Sequence, residues 1–285
     1  MYTTLISAAD LATHIDDPKL VLVDCRHDLV DLAAGRAAYA AGHLPHALFA
    51  DMETELSGAK RGADGAFRGR HPLPEKEALA ATLRRWGIDD DTQVVAYDAH
   101  GGMYAARLWW LLRWIGHEAS AVLDGGLPAW QALGQPLSAD PPEPRQAGSI
   151  AVHAPFVPTV TVAEVLDNIE SEGRTVIDAR AADRFRGENE TIDPVGGHIP
   201  GAKNRFFKDN LHNDGRFKAP EQLREEFSNL IDDPKNAIMQ CGSGVTACHN
   251  LLALEVAGLP GAALYPGSWS EWSSDPQRPV AKGAA

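Results

Sequence analysis

The chain repeats itself, and this repeat limits its possible folds more than any other feature of the sequence. "VLVDCRHD" at 21–28 returns as "TVIDARAAD" at 175–183, and "GHLPHA" at 42–47 returns as "GHIPGA" at 197–202. Both pairs are about 155 residues apart, which indicates one fold used twice.

The second half of each copy matches with a shorter spacing. "TQVVAYDAHGG" aligns with "NAIMQCGSG", which places Asp98 opposite Cys241, and "DGGLPAW" aligns with "PGSWSEW", which places Trp130 opposite Trp272. These pairs are about 143 residues apart, so the first copy carries roughly a dozen extra residues. We expect the extra residues around "SGAKRGADGAFRGRHPLP".

A polar, proline-rich stretch separates the two copies. "SADPPEPRQAGSIAVHAPFVP" has the composition of an extended, semi-rigid linker. We therefore predict an N-terminal domain at 1–138, a linker at 139–158 and a C-terminal domain at 159–285.

Short apolar runs alternate with helical patterns in each copy. In the second copy "TVIDA", "AIMQ" and "AALY" are typical of buried strands, while "APEQLREEFSNLI" and "TACHNLLALEVAG" have helical spacing. This alternation predicts an α/β fold, with a mostly parallel sheet in each domain and helices on both of its faces. Ligands of such sheets bind beyond the carboxyl ends of the strands.

Composition and charge exclude several classes of protein. The chain has 26 Lys and Arg against 39 Asp and Glu, a formal net charge of −13, which disfavours nucleic acid and anionic membranes as partners. The N-terminus lacks the pattern of a secretory signal, so we expect a cytoplasmic protein. Three cysteines are too few and too irregularly spaced for a disulfide framework or a zinc site, and we predict no metal and no cofactor.

Cys241 is the candidate nucleophile. It follows the predicted strand "AIMQ" and opens "CGSGVTA", where Gly242 and Gly244 allow a short loop to curl so that backbone N–H groups point at the sulfur. The positive N-terminal end of the following helix favours a thiolate as well. A thiolate attacks electrophilic sulfur or accepts a transferred atom.

These motifs together resemble a known family. "CGSGVTA", the paired "GHLPHA" and "GHIPGA", "DGGLPAW" and "GSWSEW" look like a tandem-domain rhodanese-type sulfurtransferase over nearly the whole chain. The resemblance implies two rhodanese-like domains, of which only the C-terminal one is active. Its cysteine would cycle through a persulfide, taking sulfur from a small donor and passing it to cyanide, a thiol or thioredoxin. Asp98 in the N-terminal copy cannot carry sulfur.

The loop sequence also bears on the sulfur donor. The neutral "CGSGVT" resembles that of 3-mercaptopyruvate sulfurtransferases, in which a serine, a histidine and an acidic residue form a proposed proton relay. The resemblance assigns these roles to Ser243, to His71 in "GRHPLP" and to Glu53, although Asp51 lies two residues away. We expect the donor to be bound by the loop residues Gly242, Gly244, Val245 and Thr246.

One position departs from this pattern. Arg184 aligns with the family's first substrate arginine, but Asp193 stands where mercaptopyruvate enzymes usually have a second. An acidic residue would oppose a keto acid, so either Arg186 or another cation replaces the missing arginine, or the preferred donor differs. Mercaptopyruvate is the expected donor and thiosulfate the alternative.

Two other functions are alternatives to sulfur transfer. A cysteine phosphatase needs an arginine six residues after its cysteine, and this chain has Ala247 there. A sulfur-relay module that serves one protein acceptor stays open. His43 and His198 recur in both copies and are expected to stabilise a turn, and Cys25 and Cys248 are expected to be inert core residues.

Overall fold

The structure is a computed structural model that describes residues 1–284. These residues form two compact units, each made of three separate stretches of chain. The N-terminal unit comprises Met1–Ser57, Pro74–Phe156 and His212–Phe217, and the C-terminal unit comprises Gly58–Leu73, Val157–Leu211 and the residues from Lys218 onward.

The two units therefore exchange short segments. Gly58–Leu73 packs with the C-terminal unit, and His212–Phe217 packs with the N-terminal unit. The sequence led us to expect extra residues in the first copy, but not that they would belong to the other unit. The predicted linker also joins a unit, since most of it packs with the N-terminal one, where Gly148 and Ile150 donate hydrogen bonds to the carbonyls of Arg84 and Ile88.

The N-terminal unit is built on a five-stranded parallel sheet with strand order β1-β5-β4-β2-β3. Its strands are β1 (Leu5–Ile6), β2 (Leu20–Asp24), β3 (Leu48–Phe49), β4 (Gln93–Tyr97) and β5 (Ser120–Leu123). Its helices are α1 (Ala8–His14), α2 (Ala34–Ala41), α3 (Lys76–Arg85), α4 (Ala105–Trp114) and α5 (Gly126–Ala132). All five residues of β2 are buried, the four apolar ones as their sequence predicts and Asp24 in an ion pair with Arg26.

The C-terminal unit repeats this plan with a four-stranded parallel sheet in the order β7-β6-β8-β9. Its strands are β6 (Thr175–Asp178), β7 (Lys203–Asn204), β8 (Ala237–Gln240) and β9 (Ala263–Leu264). Its helices are α6 (Val162–Ser171), α7 (Ala182–Arg186), α8 (Pro220–Ser228), α9 (Ala247–Val256) and α10 (Ser268–Trp272), with short 3-10 turns at Phe207–Asn210 and Pro234–Asn236.

The predicted parallel α/β architecture is confirmed, and so are the individual elements of the second copy. "TVIDA", "AIMQ" and "AALY" contain β6, β8 and β9, and the two helical patterns contain α8 and α9. Gly258 follows α9 with a φ of 69°, a left-handed conformation that glycine adopts readily at a helix end. No helix within residues 1–284 is both long enough and apolar enough to cross a bilayer.

The recurring histidines have the same surroundings in both units. The Nδ1 atom of His43 lies 2.8 Å from the Tyr39 carbonyl oxygen, and its ring stacks on Tyr39. His198 lies 2.9 Å from the Phe185 carbonyl oxygen and stacks on Phe185. Both side chains are buried, and their contacts with backbone carbonyls agree with the predicted turn-stabilising role, which stays a prediction.

Candidate active site

Cys241 begins the loop that joins β8 to α9, at the carboxyl end of a central strand of the C-terminal sheet. Its side chain is buried. The backbone N–H of Gly244 lies 3.2 Å from the Cys241 sulfur and donates to it. Helix α9 begins at Ala247, so the positive end of its dipole follows the loop directly. Both features place positive electrostatic potential near the sulfur.

The tight path of this loop requires Gly244. Its φ is 79°, and a Cβ atom at this position would lie 2.3 Å from the Pro266 carbonyl oxygen. Backbone atoms cannot move away as a flexible side chain can. Any other residue would therefore displace the loop that holds the sulfur.

The first turn of α10 also supports the loop. The Oγ of Ser268 accepts a hydrogen bond from the Cys241 N–H at 3.1 Å. The N–H of Trp269 donates to the Cys241 carbonyl, and that of Ser270 to the Gly242 carbonyl, both at 2.9 Å. The backbone around Cys241 is thus held by three hydrogen bonds.

The equivalent loop of the N-terminal unit contains a carboxylate in place of the thiol. Asp98 is fully buried. Its Oδ1 accepts hydrogen bonds from the N–H groups of His100 and Gly102, and its Oδ2 from those of Tyr104 and Ala105, at 2.7 to 3.0 Å. This loop architecture can therefore satisfy an anion with backbone donors alone.

Ser243 and His71 lie together in the C-terminal unit. The Oγ of Ser243 is 2.8 Å from the Nδ1 of His71, and both side chains are buried. His71 reaches this unit because it lies on the exchanged segment Gly58–Leu73. A serine and a histidine at this distance can pass a proton between them.

Glu53 belongs to the N-terminal unit. Its Oε1 lies 4.0 Å from the Nε2 of His27. Asp51, the alternative acid, accepts hydrogen bonds from the N–H groups of Glu53 and Thr54, so its Oδ1 caps the local turn. The support of His71 by an acidic residue stays a prediction.

Two arginines lie against the residue that follows Cys241. A Cβ atom built on Gly242 would lie 2.8 Å from Nη2 of Arg70 and 3.8 Å from both terminal nitrogens of Arg184. The backbone N–H of Arg70 donates to the Oγ of Ser270 at 3.1 Å, which fixes its position beside α10. Two guanidinium groups thus face the loop.

Arg70 is a residue that our sequence analysis missed. It directly precedes His71 in "GRHPLP", so the predicted position of His71 was the signal that could have identified it. Arg186, which we considered as a substitute cation, instead pairs with Glu188 at 2.8 Å, with more than a third of its side chain exposed. The second cation beside the loop is therefore Arg70.

Carboxylates hold both arginines in place. Asp193 is paired with Arg70 through one oxygen and with Arg184 through the other, the latter at 3.2 Å. Glu190 accepts two further hydrogen bonds from Arg184, at 2.8 and 3.0 Å. Burial raises the pKa of Asp193, an effect that Arg70 and Arg184 oppose.

The remaining predicted residues have the following places. Val245 is buried in the loop, and Thr246 directly precedes α9. Cys248 is buried in the first turn of α9, where its thiol donates to the Gly244 carbonyl. Cys25 is buried too, and burial raises the pKa of its thiol well above the usual value, as expected of an inert thiol. The donor-binding roles of the loop residues stay predictions.

Comparisons with known proteins agree with this geometry. Residues 7–133 and 161–275 both match the rhodanese-like domain family. A Pseudomonas aeruginosa protein named probable 3-mercaptopyruvate sulfurtransferase is 46% identical over 98% of each chain. A Mycobacterium tuberculosis protein named putative thiosulfate sulfurtransferase SseB is 42% identical over 99% of this chain and 98% of its own.

A solved structure shares the fold of the whole chain. The 3-mercaptopyruvate sulfurtransferase from Leishmania major superposes with a TM-score of 0.83 at 30% identity, over 95% of this chain and 74% of that one. The resemblance therefore extends from the motifs to the fold over nearly the whole chain.

Proposed function

The chain belongs to the family of rhodanese-like proteins, and we propose that it is a sulfurtransferase that carries sulfur from 3-mercaptopyruvate to an acceptor through Cys241. One observation carries this proposal. The thiol of Cys241 is held in a loop that donates a backbone N–H to its sulfur, and the same loop in the other unit holds a carboxylate. The site is suited to a thiolate nucleophile.

The first half-reaction moves one sulfur atom onto the enzyme. The Cys241 thiolate attacks the sulfur of mercaptopyruvate, a bond forms between the two sulfurs, and the bond from sulfur to carbon breaks. The electron pair of the broken bond stays on carbon, which gives the enolate of pyruvate. A proton delivered to that carbon completes pyruvate and leaves a persulfide on Cys241.

Ser243 and His71 are the residues that we assign to this proton transfer. Their contact of 2.8 Å allows the Ser243 hydroxyl to give its proton to the enolate carbon, while the His71 imidazole replaces the proton that the hydroxyl loses. Glu53 is proposed to support His71, as the family resemblance implies. Protonation of the pyruvate enolate would prevent it from attacking the persulfide and taking the sulfur back.

Arg184 is the residue that we assign to the carboxylate of the donor. Its guanidinium lies beside Gly242, with Nε and Nη2 bonded to Glu190, so Nη1 is the nitrogen that would donate a charge-assisted hydrogen bond to the donor carboxylate. Gly242, Gly244, Val245 and Thr246 would contact the rest of the donor. Neutral residues directly after Cys241 suit a donor with a single negative charge.

The second half-reaction returns the enzyme to its starting state. A thiolate acceptor attacks the outer sulfur of the persulfide, the bond between the two sulfurs breaks, and the electron pair returns to Cys241. Cyanide would accept the sulfur in the same way and leave as thiocyanate. We propose a small thiol, thioredoxin or cyanide as the acceptor.

Thiosulfate is the second candidate donor. The 42% identical relative carries the name of a thiosulfate sulfurtransferase, and the two guanidinium groups beside Gly242 could bind an oxyanion. Transfer from thiosulfate releases sulfite and needs no proton, so Ser243 and His71 would have no part in it. Their buried contact therefore favours mercaptopyruvate.

We also propose that the enzyme works in the cytoplasm. Its three cysteines are all thiols and not disulfides, a state that a reducing compartment maintains.

Mass spectrometry tests the proposal directly. Incubation with mercaptopyruvate should add about 32 Da, the mass of one sulfur atom, to the peptide that contains Cys241. Cys241→Ser should neither gain this mass nor turn over, while Cys25→Ala should behave as the native protein. Sulfur found on Cys25 or Cys248 instead would overturn the assignment.

A further inference from the structure

The arginines beside the sulfur-bearing loop already have an anion between them. Asp193 contacts Arg70 with Oδ1 and Arg184 with Oδ2, and only 3% of its side chain is exposed. Asp193 thus places a carboxylate of the protein between two guanidinium groups, in a position where an anionic donor could otherwise bind.

Asp193 is held firmly in this position. Glu190 accepts the backbone N–H of Asp193 at 3.0 Å and that of Ile192 at 2.9 Å, so the turn that carries Asp193 is closed by its own hydrogen bonds. The same Glu190 grips Arg184 with both oxygens. Neither Asp193 nor Arg184 can turn away without breaking several of these contacts.

The charges of this cluster cancel. Its three guanidinium groups and three carboxylates are joined by contacts of 3.4 Å or less, and they belong to Arg70, Arg180, Arg184, Asp178, Glu190 and Asp193. A sulfur donor bound at Gly242 therefore contacts N–H groups that can donate hydrogen bonds, but no net positive charge. The repulsion from a nearby carboxylate grows in proportion to the charge of the donor.

We propose that Asp193 determines the donor specificity of this site, by admitting donors with one negative charge and disfavouring those with two. This inference rests on the proposed sulfur transfer through Cys241. Mercaptopyruvate has one carboxylate, whereas thiosulfate is a dianion. Neutralising Asp193 would leave the cluster with a net charge of +1, which would improve the use of thiosulfate, the dianion, more than the use of mercaptopyruvate.

The test compares Asp193→Asn with the native enzyme on both donors and one common acceptor. Asparagine keeps the size of the side chain and can still accept a hydrogen bond from an arginine. We expect kcat/KM to rise about tenfold for thiosulfate and about threefold for mercaptopyruvate, because the Coulomb energy scales with donor charge. The ratio should thus shift about threefold toward thiosulfate.

Glu188→Gln is the matched control. It removes one negative charge five positions away, but Glu188 pairs with the exposed Arg186, outside the cluster. Its donor ratio should stay that of the native enzyme. An equal change of the ratio in this control would mean that overall charge, and not Asp193, governs the choice.

A binding measurement separates this inference from the proposed function. Calorimetry on Cys241→Ser uses sulfate as the dianion and pyruvate as the monoanion, and needs no sulfur transfer. Adding Asp193→Asn should tighten sulfate binding more than pyruvate binding. If Asp193→Asn fails to fold, Asp193→Ser replaces it in both measurements.

The possible outcomes are distinct. An unchanged donor ratio, a shift toward mercaptopyruvate, or an equal loss with both donors would show that Asp193 only positions the arginines, and would overturn the inference. A native enzyme that transfers no sulfur to Cys241 from either donor would instead contradict the proposed function. The preference between sulfate and pyruvate would still report on Asp193 in that case.

Discussion

His71 lies 2.8 Å from Ser243, although the two residues are 172 positions apart in the chain. The exchanged segment Gly58–Leu73 brings the imidazole into the unit that also contains Cys241. A buried hydroxyl in contact with a buried imidazole is an arrangement that can deliver a proton.

Loss of this hydroxyl should affect one donor more than the other. Ser243→Ala should lower kcat/KM for mercaptopyruvate by at least about tenfold, or ~1.4 kcal/mol, since the enolate of pyruvate needs a proton. Thiosulfate releases sulfite without one and should be used nearly as before. Steady-state kinetics with one acceptor would measure both, and an equal loss with both donors would contradict the relay.

The native enzyme should also prefer mercaptopyruvate outright. We expect its kcat/KM for mercaptopyruvate to exceed that for thiosulfate at least about tenfold, a difference of ~1.4 kcal/mol between the transition states. The same assay at saturating acceptor measures this ratio. A higher value for thiosulfate would make the chain a thiosulfate sulfurtransferase with an atypical loop.

Arg184 should be needed for any anionic donor. Arg184→Ala should lower kcat/KM by about 10- to 100-fold, corresponding to ~1.4–2.8 kcal/mol for a lost charge-assisted contact. Arg186→Ala is the control, because Arg186 is on the same helix and pairs with Glu188 outside the cluster. Activity that survives in Arg184→Ala would assign the anion to Arg70.

Gly244 offers a test of the loop itself. Gly244→Ala should reduce turnover by about 100-fold, because the new methyl group would collide with the Pro266 carbonyl and move the loop around Cys241. Gly201→Ala is a matched control. Gly201 has a φ of 76° and no atom within 4 Å of a built Cβ, so this variant has the same backbone strain without the collision.

The pH dependence of donor choice should follow Asp193. Burial raises the pKa of this carboxyl, so it takes up a proton at a higher pH than an exposed aspartate would. Protonation removes the negative charge, and the ratio of thiosulfate to mercaptopyruvate use should therefore rise as the pH falls. Arg70, Arg184 and Glu190 are the charged groups around it. In Asp193→Asn this component of the pH profile should be missing.

The sequence predicted those parts of the site that depend on local pattern. Cys241 could be placed because a buried strand, a glycine-rich loop and a helix follow one another in the chain, and each has its own signature. The repeat also predicted which copy lacks the thiol, since Asp98 aligns with Cys241. The paired parallel sheets followed from the alternation of strands and helices.

What the sequence could not predict depends on distant parts of the chain. The exchange of Gly58–Leu73 and His212–Phe217 leaves no local pattern, because a loop packs on another unit with the same polar residues that it would expose to water. Arg70 was missed for this reason. Asp193 could be identified only as a departure from the family, and its contact with Arg70 depends on that exchange.

The exchanged segments also determine when each unit can finish folding during synthesis. His71 leaves the ribosome 172 residues before Ser243, and at about 5–20 residues per second this amounts to roughly 10 to 30 s. The N-terminal unit is complete only after His212–Phe217 has also been synthesised. Neither unit can therefore finish folding on a partly synthesised chain that stops at the linker. The contact between His71 and Ser243 forms only after most of the protein has been made.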